Sequence, residues 1–383
     1  MPTPFAALFE PLKIGSRMAR NRIVHAPMSV CYGDEHGYVT EAAIEHYARR
    51  AQGGAGLVVT ENFAINAAGR QMPRQTMVSE DVYLPGLTRL AMEVKARGAL
   101  VMAQIVHAGR YAGPWEIYDD ARRLAPSAVP FELTPGRWVT PAEITEAEIW
   151  ESIRAFGDAA ELCRRAGFDG VDIHAGQGFL ISSFLSPRMN RRSDAWGGSF
   201  DNRVLFALEV VREVRRRTGP EFIVAVHLQS DELMPTGWTI DDAVLLAPRL
   251  VAAGVDMLFP TSATFESLRH PENAGLFSRR GYGLADAAAV KQVVDVPVIA
   301  NGGLGDPADA ITALEERRAD AIGLARALFV DPDWPEKVSA EAIDQIRRCP
   351  CQPSHCLRTQ LQGAVCDHWP PDVVERGYLG IDD

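Results

Sequence analysis

Eight times along the chain a short, unbroken apolar run is followed by a stretch with helical spacing. The runs are Arg22–Ala26, Gly56–Thr60, Ala99–Ile105, the segment from Val171, Phe222–Leu228, Val255–Pro260, Val296–Asn301 and Asp320–Ala325. The helical patterns are Glu41–Ala51, Asp81–Arg97, Ile149–Ala166, Asn202–Arg217, Asp241–Ala253, Leu284–Val293, Asp306–Arg318 and Asp331–Arg347. A sheet with one wet face alternates apolar and polar residues. Runs without alternation are buried on both faces, as parallel strands covered by helices are. Eight such units in 383 residues predict an α/β fold, the TIM (β/α)8 barrel. A doubly wound Rossmann sheet is the rival, disfavoured because no G-x-G-x-x-G follows the first run. Ala7–Asn21, with turn residues Pro11 and Gly15, reads as a hairpin covering the barrel bottom. The barrel is expected to occupy residues 1–347 and a cysteine-containing tail residues 348–383.

A net charge of −11 argues against nucleic acid and anionic membrane as partners. No apolar run approaches the ~20 residues of a membrane span. Met1–Ala7 lacks the pattern of a secretory signal, so the expected location is the cytoplasm. Cys31 and Cys163 are isolated, whereas Cys349, Cys351, Cys356 and Cys366 crowd the tail. In such a chain four clustered cysteines point to a metal or cluster site before a disulfide framework.

Barrel active sites sit at the C-terminal strand ends. The residues to weigh there are Pro27-Met28-Ser29, Glu61, Gln104, His107, His174, Gln177, His227, Glu266, Gly302-Gly303 and Ala325-Arg326. Two glycines after the seventh strand and an arginine after the eighth suit a phosphate, bound by backbone amides and a guanidinium. The alternative is a tight turn and a surface charge. His174 and Gln177 lie three apart just past a strand, so both can donate to one substrate carbonyl or carboxylate. Gln104 and His227 could bind the polar edge of a planar heterocycle, or be satisfied core groups. Glu61 and Glu266 are weaker candidates. Phe179 is apolar and reads as a wall residue. The two longest irregular segments, Tyr111–Pro141 and Ser262–Gly281, are expected to set substrate choice.

The stretch GFLISSFLSPRMNRRSDAWGGSFDNR resembles the old yellow enzyme family, most of all its 2,4-dienoyl-CoA reductase and trimethylamine dehydrogenase branch. Asn21-Arg22-Ile23-Val24 into Ala26-Pro27-Met28, His107-Ala108-Gly109-Arg110 and Ala325-Arg326 support the likeness, which covers nearly the whole chain. The resemblance implies FMN bound by the barrel. Ala26, Pro27, Met28 and Ser29 would run along the ring, with Gln104, His227 and the weaker Glu61 at its pyrimidine edge. Gly302, Gly303, Ala325 and Arg326 would hold its phosphate. It also implies hydride transfer from NAD(P)H through the flavin to an activated, enone-type alkene, with His174 and Gln177 polarising the carbonyl. An amine or N-methyl dehydrogenase, a double-bond isomerase and a catalytically weakened flavoprotein subunit are the alternatives.

Phe179 stands where the family has a proton-donating tyrosine, and His227 where it has an arginine. A proton for alkene reduction would then come from water, Tyr32 or Glu266. The tail spacing Cys349-x-Cys351-x4-Cys356-x9-Cys366 departs from the branch's [4Fe–4S] pattern, so a cluster, a zinc site and a remnant all stay open. The chain ends at Asp383, soon after Cys366, so a form without the branch's nucleotide-binding domain is expected. A homo-oligomer is the expected assembly.

Overall fold

In the computed structural model, the described residues are 3–113, 122–350, 356 and 359–370. The barrel strands are β1 (Ile23–His25), β2 (Leu57–Ala64), β3 (Leu100–Val106), β4 (Gly170–Ala175), β5 (Ile223–Asp231), β6 (Met257–Ser262), β7 (Ile299–Ala300) and β8 (Ala321–Leu324). Every neighbouring pair is parallel. The ring closes between β6 and β7, where Leu258 N–H donates to Pro297 O at 3.0 Å. This is the TIM barrel that the eightfold alternation predicts.

The helices are α1 (Glu41–Gln52), α2 (Leu84–Lys95), α3 (Glu146–Arg165), a short α4 (Leu180–Leu185), α5 (Phe200–Thr218), α6 (Ile240–Ala253), α7 (Leu284–Lys291), α8 (Pro307–Glu315), α9 (Arg326–Val330) and α10 (Trp334–Ser339). Helix α3 starts at a capping box in which Thr145 and Glu148 satisfy each other's backbone N–H groups. No helix among the described residues is long and apolar enough to cross a membrane.

Strand side chains alternate with period two, and that explains the unbroken apolar runs. Val58, Val101, Val171, Val224 and Leu258 point outward into the layer between strands and helices. Leu57, Val59, Met102, Ile223, Ala225, Met257, Phe259, Ile299 and Ala321 point inward and fill the lower barrel. Leu12, Ile14 and Ala19 join that inner cluster from the antiparallel hairpin of Leu12–Ile14 and Arg17–Ala19, which plugs the bottom.

Three expectations need correction. The final helix Asp331–Arg347 is instead α9, α10 and a 3-10 turn at Ile343–Gln345. Buried Asp331 turns the chain by accepting from Lys337 Nζ (2.7 Å) and the Arg347 N–H (2.8 Å), and Pro332 and Pro335 cannot donate to a continuing helix. Glu61 and Asn62 lie within β2, not past it, and a register shift between Val59 and Asn62 marks a bulge. The Tyr111–Pro141 segment contains a hairpin, Phe131–Thr134 with Arg137–Val139. Pro135-Gly136 between alternating residues was the sequence signal for it. Trp115 and Tyr118 of that segment lie outside the described residues.

Met257 is fully buried in the lower barrel. Met257→Ala is expected to cost about 3 kcal/mol in urea-unfolding free energy, from lost burial and the cavity left behind.

Candidate active site

Above the apolar filling, the next inward position on the strands and strand ends is polar or small. It brings Ala26, Gln104, His227, Thr261, Asn301 and Gly323 to one level. All of these except Gln104 line a cavity of about 320 Å³ at the C-terminal barrel face. Gly323 has to lack a side chain, since a Cβ there would lie 2.2 Å from Asn301 Oδ1.

Asp172 of β4 also points inward and is fully buried. Its Oδ2 accepts from Gln104 Nε2 at 2.8 Å and lies 3.3 Å from His227 Nδ1. The second contact is not aligned as a hydrogen bond, and neither His227 Nδ1 nor Asp172 Oδ1 has a hydrogen-bond partner. Sequence reasoning passed over Asp172. An acid inside an otherwise apolar strand run was the available signal.

His174 sits two residues above Asp172 on the same strand face, 5.3 Å from the His227 ring by centroids. Burial holds it well below the usual imidazole value, and His227 pushes the same way; a hydrogen bond to the Gln177 side chain opposes them. Its Nδ1 accepts the Gly176 N–H at 3.2 Å, which leaves the proton of the neutral ring on Nε2. Gln177 lines the cavity from a left-handed backbone conformation, φ 58°. Such strain in a non-glycine residue is held where surrounding structure fixes a side chain. Phe179 is buried and packs edge-on against His174 at 4.7 Å.

The other end of the cavity lies between β7 and β8. Gly302 and Gly303 take positive φ, and a Cβ at Gly303 would lie 2.2 Å from the Arg279 carbonyl oxygen. Ala325 and Arg326 line this end, as do Arg280, Arg347 and Arg348, which sequence reasoning did not select. Arg347 was the last residue of the supposed final helix and Arg348 the first of the supposed tail. Arg326 donates to the Phe277 carbonyl; Arg280 and Arg348 pair with Asp306 at 3.3 and 3.1 Å. This donor set suits a dianion such as a phosphate monoester.

Several candidates lie elsewhere. Met28 packs against the tail cluster, and Ser29 Oγ donates to Asn62 Oδ1 at 3.0 Å, so Ala26 and Pro27 alone of that stretch line the cavity. Glu61 is buried away from the cavity, and its Oε2 accepts the N–H groups of Val30 (2.9 Å) and Cys31 (2.7 Å). Tyr32 and Glu266 do not line the cavity. Tyr32 is buried and gives its hydroxyl proton to the Ala364 carbonyl, while Glu266 is held between Arg188 (2.8 Å) and Arg110 (3.4 Å). Cys356 and Cys366 are buried among Val30, Tyr32, Phe329 and Trp369, with Cys349 packed alongside. Among the described residues no group of three or more His, Cys, Asp or Glu side chains could hold a metal ion, and Cys351 lies outside them.

Residues 7–345 match the model of the NADH:flavin oxidoreductase / NADH oxidase family. An NADH oxidase of Thermoanaerobacter brockii is 36% identical over 348 residues, which cover 91% of this chain and 53% of that protein. The chain thus spans about half the length of that relative. An NADPH dehydrogenase of Geobacillus sp. (strain WCH70) is also 36% identical, over 87% of this chain and 94% of its own length. Among solved structures, a 2-naphthoyl-CoA reductase in complex with 2-naphthoyl-CoA superposes with a TM-score of 0.89 at 29% identity, over 96% of this chain and 57% of that one.

Burial pushes the Glu61 carboxyl up to about 7, and the amides of Cys31, Val30 and Tyr32 pull the other way. The folded state therefore retains a proton that the unfolded chain releases near its ordinary value of 4.5. This contribution is full below that value and is lost as pH rises to about 7. Glu61→Gln is expected to gain melting temperature over the wild type across that window. The gap should stay constant above about pH 8.

Proposed function

The chain belongs to the NADH:flavin oxidoreductase / NADH oxidase family, and from that premise we propose that it is an FMN-dependent oxidoreductase passing hydride from NAD(P)H to an alkene conjugated to a carbonyl. Bound FMN supplies the hydride chemistry, and the protein supplies position and electrostatics. The observation that carries the reading is one cavity with two unlike ends: guanidinium groups at the β7–β8 end, and His227 and Gln177 at the other.

The residues present fit that cofactor. Arg326, Arg280, Arg347 and Arg348 would hold its phosphate beside Gly302, Gly303 and Ala325. Ala26 and Pro27 would flank the ring. His227 would meet its polar edge, oriented by Asp172, which Gln104 holds in place. An imidazole there offers fewer hydrogen-bond donors than a guanidinium would. His174 and Gln177 would donate to the substrate carbonyl oxygen, withdrawing electrons from the conjugated double bond. A neutral His174 suits this role, because its Nε2–H donates over the whole working pH range.

The 2-naphthoyl-CoA reductase is named for a substrate whose carbonyl is conjugated to carbon–carbon double bonds, which supports that substrate class. Phe179 makes proton donation atypical, because it has no exchangeable proton. That residue is also what would favour an amine dehydrogenase, which needs no donor there. We assign residues 1–347 to the FMN-binding barrel and 348–383 to a tail. The tail's described part pairs with the loop after β1 through Ala364 N–H to Val30 O at 2.8 Å. The described cysteines do not form a cluster-binding set, and no step is assigned to one.

Anaerobic NADH or NADPH is expected to bleach the bound flavin, and cyclohexenone to restore its colour. Bleaching by an amine instead would replace this reading with the dehydrogenase. Arg326→Ala is expected to weaken FMN binding to the flavin-free protein at least tenfold in a fluorescence titration, the scale of one lost hydrogen bond to a charged group.

A further inference from the structure

Phe179 leaves the substrate side of β4 without a donor at that position, and the two donors named from the sequence, Tyr32 and Glu266, are committed elsewhere. A third hydroxyl lies beside Phe179. Tyr111, on the turn after β3, has its ring 6.2 Å from that of Phe179 by centroids, in an edge-on arrangement. Phe131 and Phe265 stand edge-on to it at 5.2 and 5.1 Å. The phenol end reaches the backbone of Gly178, where an added Cβ would lie 3.2 Å from Tyr111 Oη. Gly178 joins Gln177, which lines the cavity, to Phe179.

Tyr111 is 7% exposed, and its Oη is buried without a hydrogen-bond partner. Buried polar groups are bonded in the great majority of cases, so an orphan calls for a reason. A purely structural aromatic here needs no hydroxyl, since its neighbours Phe131, Phe179 and Phe265 are carbon rings. Burial keeps the phenol protonated far up the pH scale, although Arg110 pulls the other way. The oxygen therefore carries a proton that no acceptor among the described residues takes.

We propose that Tyr111 is the proton donor for alkene reduction, replacing the hydroxyl missing at position 179. This rests on the enone reading above. Bound FMN, reduced by NAD(P)H, would supply the hydride for the new C–H bond at the β-carbon, with the π bond breaking. The electron pair then spreads over the α-carbon and the carbonyl oxygen that His174 and Gln177 hold. The α-carbon takes the Tyr111 Oη proton, the O–H bond breaks, and water returns a proton to the phenolate.

The test is anaerobic stopped-flow on the FMN-loaded protein, with reduction by NAD(P)H and reoxidation by 2-methylcyclohexenone measured separately. Tyr111→Phe should reduce its flavin at the wild-type rate but reoxidise at least thirtyfold more slowly. Tyr111→Phe combined with Phe179→Tyr should recover most of that loss. Two further readouts separate catalysis from structure. The melting temperature of Tyr111→Phe should be unchanged or raised, because no protein hydrogen bond is lost. In deuterium oxide, wild-type product should carry deuterium on one face of the α-carbon, and the Tyr111→Phe product on both. Reoxidation of Tyr111→Phe at the wild-type rate with the same face labelled would overturn the assignment. A lowered melting temperature with unchanged facial selectivity would overturn it as well, in favour of a packing role. If enones fail to reoxidise the wild-type reduced flavin, the enone reading itself falls, and this role with it.

Discussion

The molecule depends on a change of composition along the inward face of its strands. Met102 is followed two residues on by Gln104, Ala225 by His227, Phe259 by Thr261, Ile299 by Asn301 and Ala321 by Gly323. Below that level the inner side chains are hydrocarbon and exclude water. Above it they carry hydrogen-bonding atoms or leave room. Because successive inward positions are two residues apart on every strand, one register sets both the packed floor and the floor of the cavity. A slip of one residue in β5 would put Val226 in the place of His227. The parallel pairings His174 with His227, and Asp172 with Gln104, therefore form part of the site as well as of the sheet.

Much of this was legible in the sequence. The barrel follows from runs buried on both faces, which depend on local composition alone. The glycines and arginine at the β7–β8 end were legible too, because a turn without side chains beside a strand end has few uses. What sequence could not supply was direction. Glu61 and Gln104 are both polar residues on neighbouring strands. The bulge in β2 turns Glu61 to the amides of Val30 and Cys31, while Gln104 stays on the barrel axis. Tyr32 and Tyr111 are both tyrosines in loops after strands. The tail captures one hydroxyl and leaves the other without a partner. These outcomes rest on contacts between segments far apart in the chain, such as Ala364 with Tyr32, which no local pattern encodes.

The same contacts show how the tail bears on the barrel mouth. Gln360 Nε2 donates to the Ser29 carbonyl at 2.6 Å, and Trp369 Nε1 to the Phe329 carbonyl at 2.7 Å. The loop after β1 is thus clamped from above by the tail and from below by Glu61. Pro27 and Ala26, which line the cavity, begin that loop. The clamping side chains, Gln360 and Glu61, do not themselves line the cavity. The positions of the tail cysteines follow from the same packing: Cys356 and Cys366 lie in the apolar contact between tail and loop.

Phe179 packs into a set of rings drawn from separate parts of the chain. The rings of Tyr111, Phe131, Phe179 and Phe265 make a continuous apolar wall next to the His174–Gln177 pair. The wall has contributions from both irregular segments at the barrel mouth, Phe131 from the hairpin and Phe265 from the loop after β6. Arg269 joins the two segments by donating to the Leu133 carbonyl at 2.6 Å. A change in either, through Phe131 or through Phe265, alters the surroundings of the same phenol.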